Sequence, residues 1–193
     1  MSEPCQRSAP PGAILAGGDA TRLGGAKATA ELAGRPLILY AVAALAEAGV
    51  EPFVVAKAGS ALPPLEAPVV TEPDEPVHPL AGVVAALRHA GSRGSVVIPC
   101  DAPFLSPMLL HVLAAAEKAT AIRAAGRVHP LIARYPFSAL GELESAMKDG
   151  ASATQALEAL DPEWIEASER ETFNVNTPED LARAEEILRR ARA

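Results

Sequence analysis

Ser95-Val96-Val97-Ile98-Pro99-Cys100-Asp101 is the stretch on which the fold turns. Its apolar residues do not alternate with polar ones, and Val96, Val97 and Ile98 are β-branched. The run therefore reads as a strand buried on both faces, as in the middle of a parallel sheet. A carboxylate follows it directly. Of the six aspartates in the chain, Asp101 is the one that stands immediately after a strongly apolar strand. In an open α/β sheet that is the carboxyl edge, where ligands bind. A metal ligand is its natural role, because Mg²⁺ takes one or two carboxylates together with phosphate oxygens and water. An aspartate that merely opens a turn before Pro103 has the same sequence setting.

Outward from this run, short apolar segments alternate with longer ones of helical period, the pattern of βα units. Strands are expected at Ala13-Ile14-Leu15, Pro52-Phe53-Val54-Val55 and Pro68-Val69-Val70, with further ones around Thr120 to Arg123 and Leu131 to Ala133. Helices are expected from Pro36 to about Gly49, from Pro79 to Ala90 with Gly91 closing it, and from Ser106-Pro107 through Lys118. Two more fall near Ser138 to Lys148 and Ser152 to Leu160, with Trp164 packing under the last strand. Thr177-Pro178-Glu179-Asp180 supplies a capping hydroxyl, a first-turn proline and two acids for a final helix ending in Arg189, Arg190 and Arg192. Residues 1–11, polar and rich in proline, read as a flexible tail, and 12–193 as one domain.

Composition narrows the function. In 193 residues, 49% are hydrophobic but only 4% aromatic, so the core must be small aliphatic side chains packed between layers. The net charge of −7 and the lack of a Lys/Arg run argue against a nucleic-acid partner. No stretch reaches the roughly 18 apolar residues of a membrane span. Cys5 and Cys100 are too far apart and too different in setting to suggest a disulfide framework or a zinc site. A protein of the reducing cytoplasm is expected.

The segment from Leu15 to Lys27 directly follows the first strand. Gly17, Gly18, Gly24 and Gly25 let backbone N–H groups approach a ligand, and Arg22 and Lys27 add positive charge. It is a phosphate cradle by composition, though it has neither the P-loop order nor the dinucleotide spacing. A flexible surface loop shares that composition. A cradle after one strand and a carboxylate after another nevertheless predict one shared nucleotide–Mg²⁺ pocket.

Leu15-Ala16-Gly17-Gly18 with Arg22, Gly24 and Lys27, then Gly34-Arg35-Pro36-Leu37, resembles the signature loop of the sugar-nucleotide-transferase superfamily. Four later stretches are similar to the molybdenum cofactor guanylyltransferases and their close relatives. They are Pro79-Leu80-Ala81-Gly82, Pro99-Cys100-Asp101-Ala102-Pro103-Phe104-Leu105, His129-Pro130-Leu131 and Asn174-Val175-Asn176-Thr177-Pro178-Glu179-Asp180-Leu181. The likeness covers roughly 12–185.

The resemblance implies an α/β fold, a single Rossmann-like three-layer domain with a mostly parallel central sheet. It implies transfer of GMP from Mg-GTP to the phosphate of molybdopterin or its molybdenum-loaded form, with release of pyrophosphate. It also implies transient contact with molybdoenzymes or cofactor-synthesis proteins. Carried over residue by residue, it puts Leu15, Ala16, Gly17 and Gly18 on the nucleotide, Arg22 and Lys27 on the triphosphate, and Asp101 on Mg²⁺. An acidic residue upstream of Pro79 contacts the nucleotide, a place for which Glu72 and Asp74 both qualify. Asn174 and Asn176 face the acceptor or complete the metal site. The chain departs from the pattern at Ala26, where the family commonly has Asp, and at His78, where it frequently has Gly.

With an acceptor phosphate whose second pKa is about 6, no general base is required. Lys27, Arg22 and the Asp101-bound metal would act by positioning and charge neutralisation. Of the other candidates, His89 and His111 fall in predicted helices as packing or surface residues. His78 and His129 each precede a proline in a loop near the site, and Cys100 reads as a buried small hydrophobe. The alternatives are a cytidylyltransferase on the same acceptor, a sugar-1-phosphate nucleotidyltransferase, and a nucleotide-binding protein without turnover.

Overall fold

The computed structural model describes residues 9–17 and 27–192 of the chain. Its elements are β1 (Gly12–Leu15), β2 (Glu31–Leu32), β3 (Arg35–Pro36), α1 (Leu37–Glu47), β4 (Pro52–Lys57), β5 (Val69–Glu72), α2 (Pro79–Ala90) and β6 (Ser95–Pro99). They continue with α3 (Pro107–Ala115), β7 (Thr120–Ala124), β8 (Arg127–Tyr135), α4 (Leu140–Lys148), α5 (Ala153–Ala159), β9 (Glu163–Glu166) and α6 (Pro178–Arg192). Among the described residues seven strands form one sheet in the order β5-β4-β1-β6-β8-β7-β9. β1 is parallel to β4 and β6, β4 to β5 and β7 to β9, while β8 runs antiparallel to β6 and β7. The sheet is mostly parallel, as expected.

The two-residue period of a strand sends successive side chains to opposite faces, and the core divides accordingly. Ile14, Val54, Val96 and Ile98 pack with Ile38, Ala41 and Leu45 of α1 and with Leu109, Leu110 and Leu113 of α3. Their strand neighbours Ala13, Phe53, Val55 and Val97 pack on the other face with Leu80, Val83, Val84 and Leu87 of α2 and with Leu143 and Leu157 from α4 and α5. Helices thus cover both faces, giving three layers. Each fully buried Leu or Ile contributes about 1.5–3 kcal/mol by leaving water, and the small side chains let the layers approach. At Gly12 a Cβ would fall 2.5 Å from Cδ2 of Leu45, so strand and helix meet over a bare backbone.

Chain winding places the ligand-binding edge. The chain proceeds from β1 to β4 and on to β5, then returns across β1 to β6, so the direction of winding reverses between β1 and β6. In open α/β sheets a crevice opens at the carboxyl ends of the strands at such a point.

Several local expectations change. β6 has a parallel neighbour on one side only, since β8 flanks the other. The helix expected from Pro36 begins at Leu37, because Pro36 closes the β2–β3 hairpin. That hairpin's two-residue turn, Ala33 (φ 51) and Gly34 (φ 75), has the doubly positive φ that fits strand twist. The α3 helix stops at Ala115, where Ala116 swings to extended backbone to feed β7. Trp164 lies within β9 itself, with the Arg123 guanidinium 4.4 Å from its ring centre.

The expected loop at His129-Pro130 is strand. Both residues belong to β8, and the register with β7 jumps from Ala121↔Ala133 to Ile122↔His129. Pro130 sits in that bulge, where its missing N–H costs no ladder bond.

Candidate active site

β1 and β6 end side by side, and the principal charges meet near their ends. β1 ends at Leu15, whose carbonyl accepts from Cys100 N at 3.1 Å. Lys27 opens a single 3₁₀ turn over Lys27–Thr29. Asp101 follows β6 by two residues. The Nζ of Lys27 is 2.6 Å from Asp101 Oδ2 and donates also to Asn176 Oδ1 at 2.5 Å. The Asp101 side chain is 7% exposed and that of Lys27 is 24% exposed, so the pair sits at the floor of a crevice rather than on open surface.

The Asn174–Thr177 stretch reaches this floor from the far end of the chain. Val175 N donates to the Asp101 carbonyl at 2.9 Å, which seats the stretch beside β6. Asp180, in the first turn of α6, accepts from Asn176 N and Thr177 N, each at 3.0 Å, while Thr177 Oγ1 accepts from Asp180 N at 3.1 Å. This reciprocal cap fixes the helix start. It also holds Asn176 against Lys27. Asn174 Oδ1 is buried with no hydrogen-bond partner among the described residues, an acceptor of the kind a bound group would satisfy.

The other end of the cleft lies toward the sheet edge. Glu72, the last residue of β5, is 9% exposed and stands between two glycines. A Cβ on Gly17 would come within 2.4 Å of Glu72 Oε1, and one on Gly82 within 2.8 Å of Oε2. Burial pushes the Glu72 carboxyl above its usual range; the Lys57 ammonium opposes this and the Asp74 charge adds to it.

Around α2 the cleft is walled by His78, which caps the helix by accepting from Leu80 N at Nδ1 and uses Nε2 toward the Ala151 carbonyl at 2.9 Å. The whole cleft, about 400 Å³, is lined by Leu15, Gly17, Lys57, Gly82 and Leu131 as well as the charged floor. That volume falls within the range of small-molecule sites.

Of the residues singled out from sequence, Leu15, Gly17, Lys27, Glu72, Asp101, Asn174 and Asn176 line one cleft. The side chain of Ala16 packs against the aliphatic layer under α1 and α3. Asp74 is exposed and does not line the cleft. Gly18, Arg22 and Ala26, like Cys5, lie outside the described residues. His89 packs on Phe53 with ring centres 4.6 Å apart. Cys100 is buried, and burial with the neighbouring Asp101 charge pushes its thiol up to about 12, which leaves it inert as a nucleophile. Sequence reasoning missed Lys57 and gave Leu131 no role beyond its place in the family-like stretch His129-Pro130-Leu131. Lys57 closes an apolar strand just as Asp101 follows one, a signal that was present.

No group of three His, Cys, Asp or Glu side chains capable of holding a metal occurs among the described residues. A cation here would rest on Asp101 and on substrate oxygens. That donor set suits Mg²⁺, which prefers few protein carboxylates plus phosphate and water.

Residues 12–163 match a family model described as the MobA-like NTP transferase domain. A molybdenum cofactor guanylyltransferase of Cereibacter sphaeroides is 36% identical over 188 residues, covering 93% of this chain and 97% of that protein. One from Sinorhizobium fredii is 32% identical over 202 residues, covering 93% and 92%. Among solved structures, the molybdopterin-guanine dinucleotide biosynthesis protein A from Archaeoglobus fulgidus superposes with a TM-score of 0.74 at 28% identity, covering 92% of this chain and 98% of that one.

Proposed function

The chain belongs to the MobA-like NTP transferase family, and from that premise we propose that it transfers GMP from Mg-GTP to the phosphate of molybdopterin or its molybdenum-loaded form. The observation that carries this reading is the Lys27–Asp101 contact at the winding reversal, with Asn176 on the same ammonium. A fixed cation and a carboxylate at one floor suit the meeting of two phosphate groups.

In the reaction, an oxygen of the acceptor phosphate attacks the α-phosphorus of GTP. The new P–O bond forms as the bond from the α-phosphorus to the bridging oxygen breaks, and the electron pair leaves with pyrophosphate. The acceptor, largely a dianion at neutral pH, needs no base. Lys27 neutralises phosphate charge as a point cation, and Arg22 is assigned to the triphosphate with it. Asp101 would hold the magnesium ion, which supplies further neutralisation of the triphosphate when bound. Asn174, whose Oδ1 has no partner among the described residues, is assigned to the acceptor or to the metal shell.

Glu72 is assigned to the base in preference to Asp74, because it alone of the two lines the cleft. An ionised carboxylate is acceptor only, and the guanine edge offers N1–H and N2–H₂ donors to match it. Among the described residues, no helix is long and apolar enough to cross a membrane. Action in the cytoplasm, with transient contact to molybdoenzymes or cofactor-synthesis proteins, completes the proposal.

The test is pyrophosphate release with molybdopterin and Mg²⁺, comparing GTP, CTP and UTP. Turnover selective for GTP and abolished in Asp101→Ala supports guanylyl transfer. Selectivity for CTP replaces it with cytidylyl transfer, and no turnover with any nucleotide overturns the assignment.

A further inference from the structure

The cleft holds a second lysine that the transfer chemistry does not use. Lys57 is the last residue of β4 and Glu72 the last of β5, and the parallel register pairs these two positions. Their side chains therefore lie on one side of the sheet as lateral neighbours, and both line the cleft. Opposite charges at paired positions would ordinarily close on each other. Here neither makes an ion pair or hydrogen bond with any described residue, although the ammonium does act on the Glu72 carboxyl through space. Gly17 and Gly82 confine that carboxylate to the lane between their bare backbones.

Position in the sheet separates this pair from the phosphate floor. Adjacent strands lie about 4.8 Å apart, so β4 stands roughly 10 Å and β5 roughly 14 Å from β6, after which Asp101 comes. With the phosphates held at Lys27 and Asp101, the strand ends carrying Lys57 and Glu72 face the nucleoside end of the ligand.

A lysine offers donors only and an ionised glutamate acceptors only. Guanine presents, along one edge, an acceptor (O6) followed by two donors (N1–H and N2–H₂). Cytosine presents the reverse, with its N4 amino donor first. Resting on the guanylyl reading above, we propose that Lys57 is a specificity residue that donates to guanine O6 while Glu72 accepts from N1–H and N2–H₂. A cytosine amino group brought to the same place meets a donor with no acceptor to offer it.

The experiment uses the full chain and four triphosphates: GTP, CTP, 6-thio-GTP, which keeps N1–H and the 2-amino group but puts a weakly accepting sulfur in place of O6, and ITP, which lacks the 2-amino group. Binding is measured by calorimetry, and kcat and KM by pyrophosphate release. For wild type, sulfur in place of O6 is expected to weaken binding roughly tenfold or more, toward the full loss of a charge-assisted hydrogen bond. In Lys57→Met the preference for GTP over 6-thio-GTP disappears while that over ITP persists, and KM rises with kcat nearly unchanged. Lys57→Arg restores the O6 preference, which separates base reading from a folding defect.

Equal weakening of GTP, 6-thio-GTP and ITP in Lys57→Met, as for a phosphate contact, overturns the proposal. So does an unchanged selectivity. If wild type itself fails to prefer GTP over CTP, the guanylyl assignment has failed rather than the role of Lys57 within it.

Discussion

Lys27 Nζ lies 2.6 Å from Asp101 Oδ2 although 74 positions separate the two residues. The contact exists because the 3₁₀ turn that Lys27 opens and the residues that follow β6 meet at one edge of the sheet, so the fold itself assembles the charged floor. Lys27→Met and Asp101→Asn should each lower kcat by about 10² to 10³, the usual cost of losing a preorganised charge partner. Single-turnover pyrophosphate release would show it, and a loss under tenfold in both variants would remove the floor from the mechanism.

Asp180 acts on the same floor without touching it. Asp180→Ala frees the N–H groups of Asn176 and Thr177 and uncaps α6, which should cost about 1–2 kcal/mol. It should also lower kcat, because Asn176 loses its anchor. Asp180→Asn keeps an acceptor and should recover much of both in urea denaturation and turnover.

Gly82→Ala separates stability from binding. Within α2 the exchange favours helix by up to about 1 kcal/mol, but the new Cβ would lie 2.8 Å from Glu72 Oε2 and 3.0 Å from Leu15 Cδ2. Melting temperature should hold or rise while GTP affinity falls. Calorimetry that finds affinity unchanged would show that the Glu72 carboxylate does not need its lane.

Two glutamates should shift the pH dependence of stability in opposite directions. Burial raises Glu72 above its ordinary 4.5, so the folded chain binds that proton more tightly than the unfolded one. Its contribution is whole below 4.5 and is lost as pH rises through the raised value. Glu72→Gln is therefore expected to stabilise the fold at neutral pH while weakening GTP binding roughly ten- to hundredfold. For Glu171 burial acts upward, but hydrogen bonds from Ser106 Oγ, Ser168 N and Ser168 Oγ outweigh it and hold the carboxyl below 4.5. That contribution is present above 4.5 and disappears as pH falls through the lowered value. Glu171→Gln should flatten acid unfolding below pH 4.5, as followed by circular dichroism.

Much of this was legible because local physics and burial agree. The Ser95–Pro99 run needed two apolar faces and has them, and α2 begins and ends where Pro79 and Gly91 punctuate it. His129-Pro130 read as loop because proline is excluded from central strands, and only the bulge opposite β7 makes it tolerable. The same bulge delivers Leu131 to the cleft. At Ala33, a positive φ in a residue with a Cβ gave the hairpin no strong sequence signal. The choice between Glu72 and Asp74 depended on where β5 stops, a boundary of one or two residues. Asn176 on Lys27 could not be foreseen, since it depends on the Val175–Asp101 backbone bond between distant segments.

The cap that links Asp180 to Asn176 also sets an order in time. Every strand of the sheet, together with Lys27 and Asp101, precedes Asn176 in the chain. During translation, a chain that has emerged only through β9 carries the ammonium and the carboxylate but not the amide that steadies them. With the proposed roles of these residues, commitment of GTP is expected to wait for the last helix to dock, and a product truncated before α6 to be a sheet without a working floor.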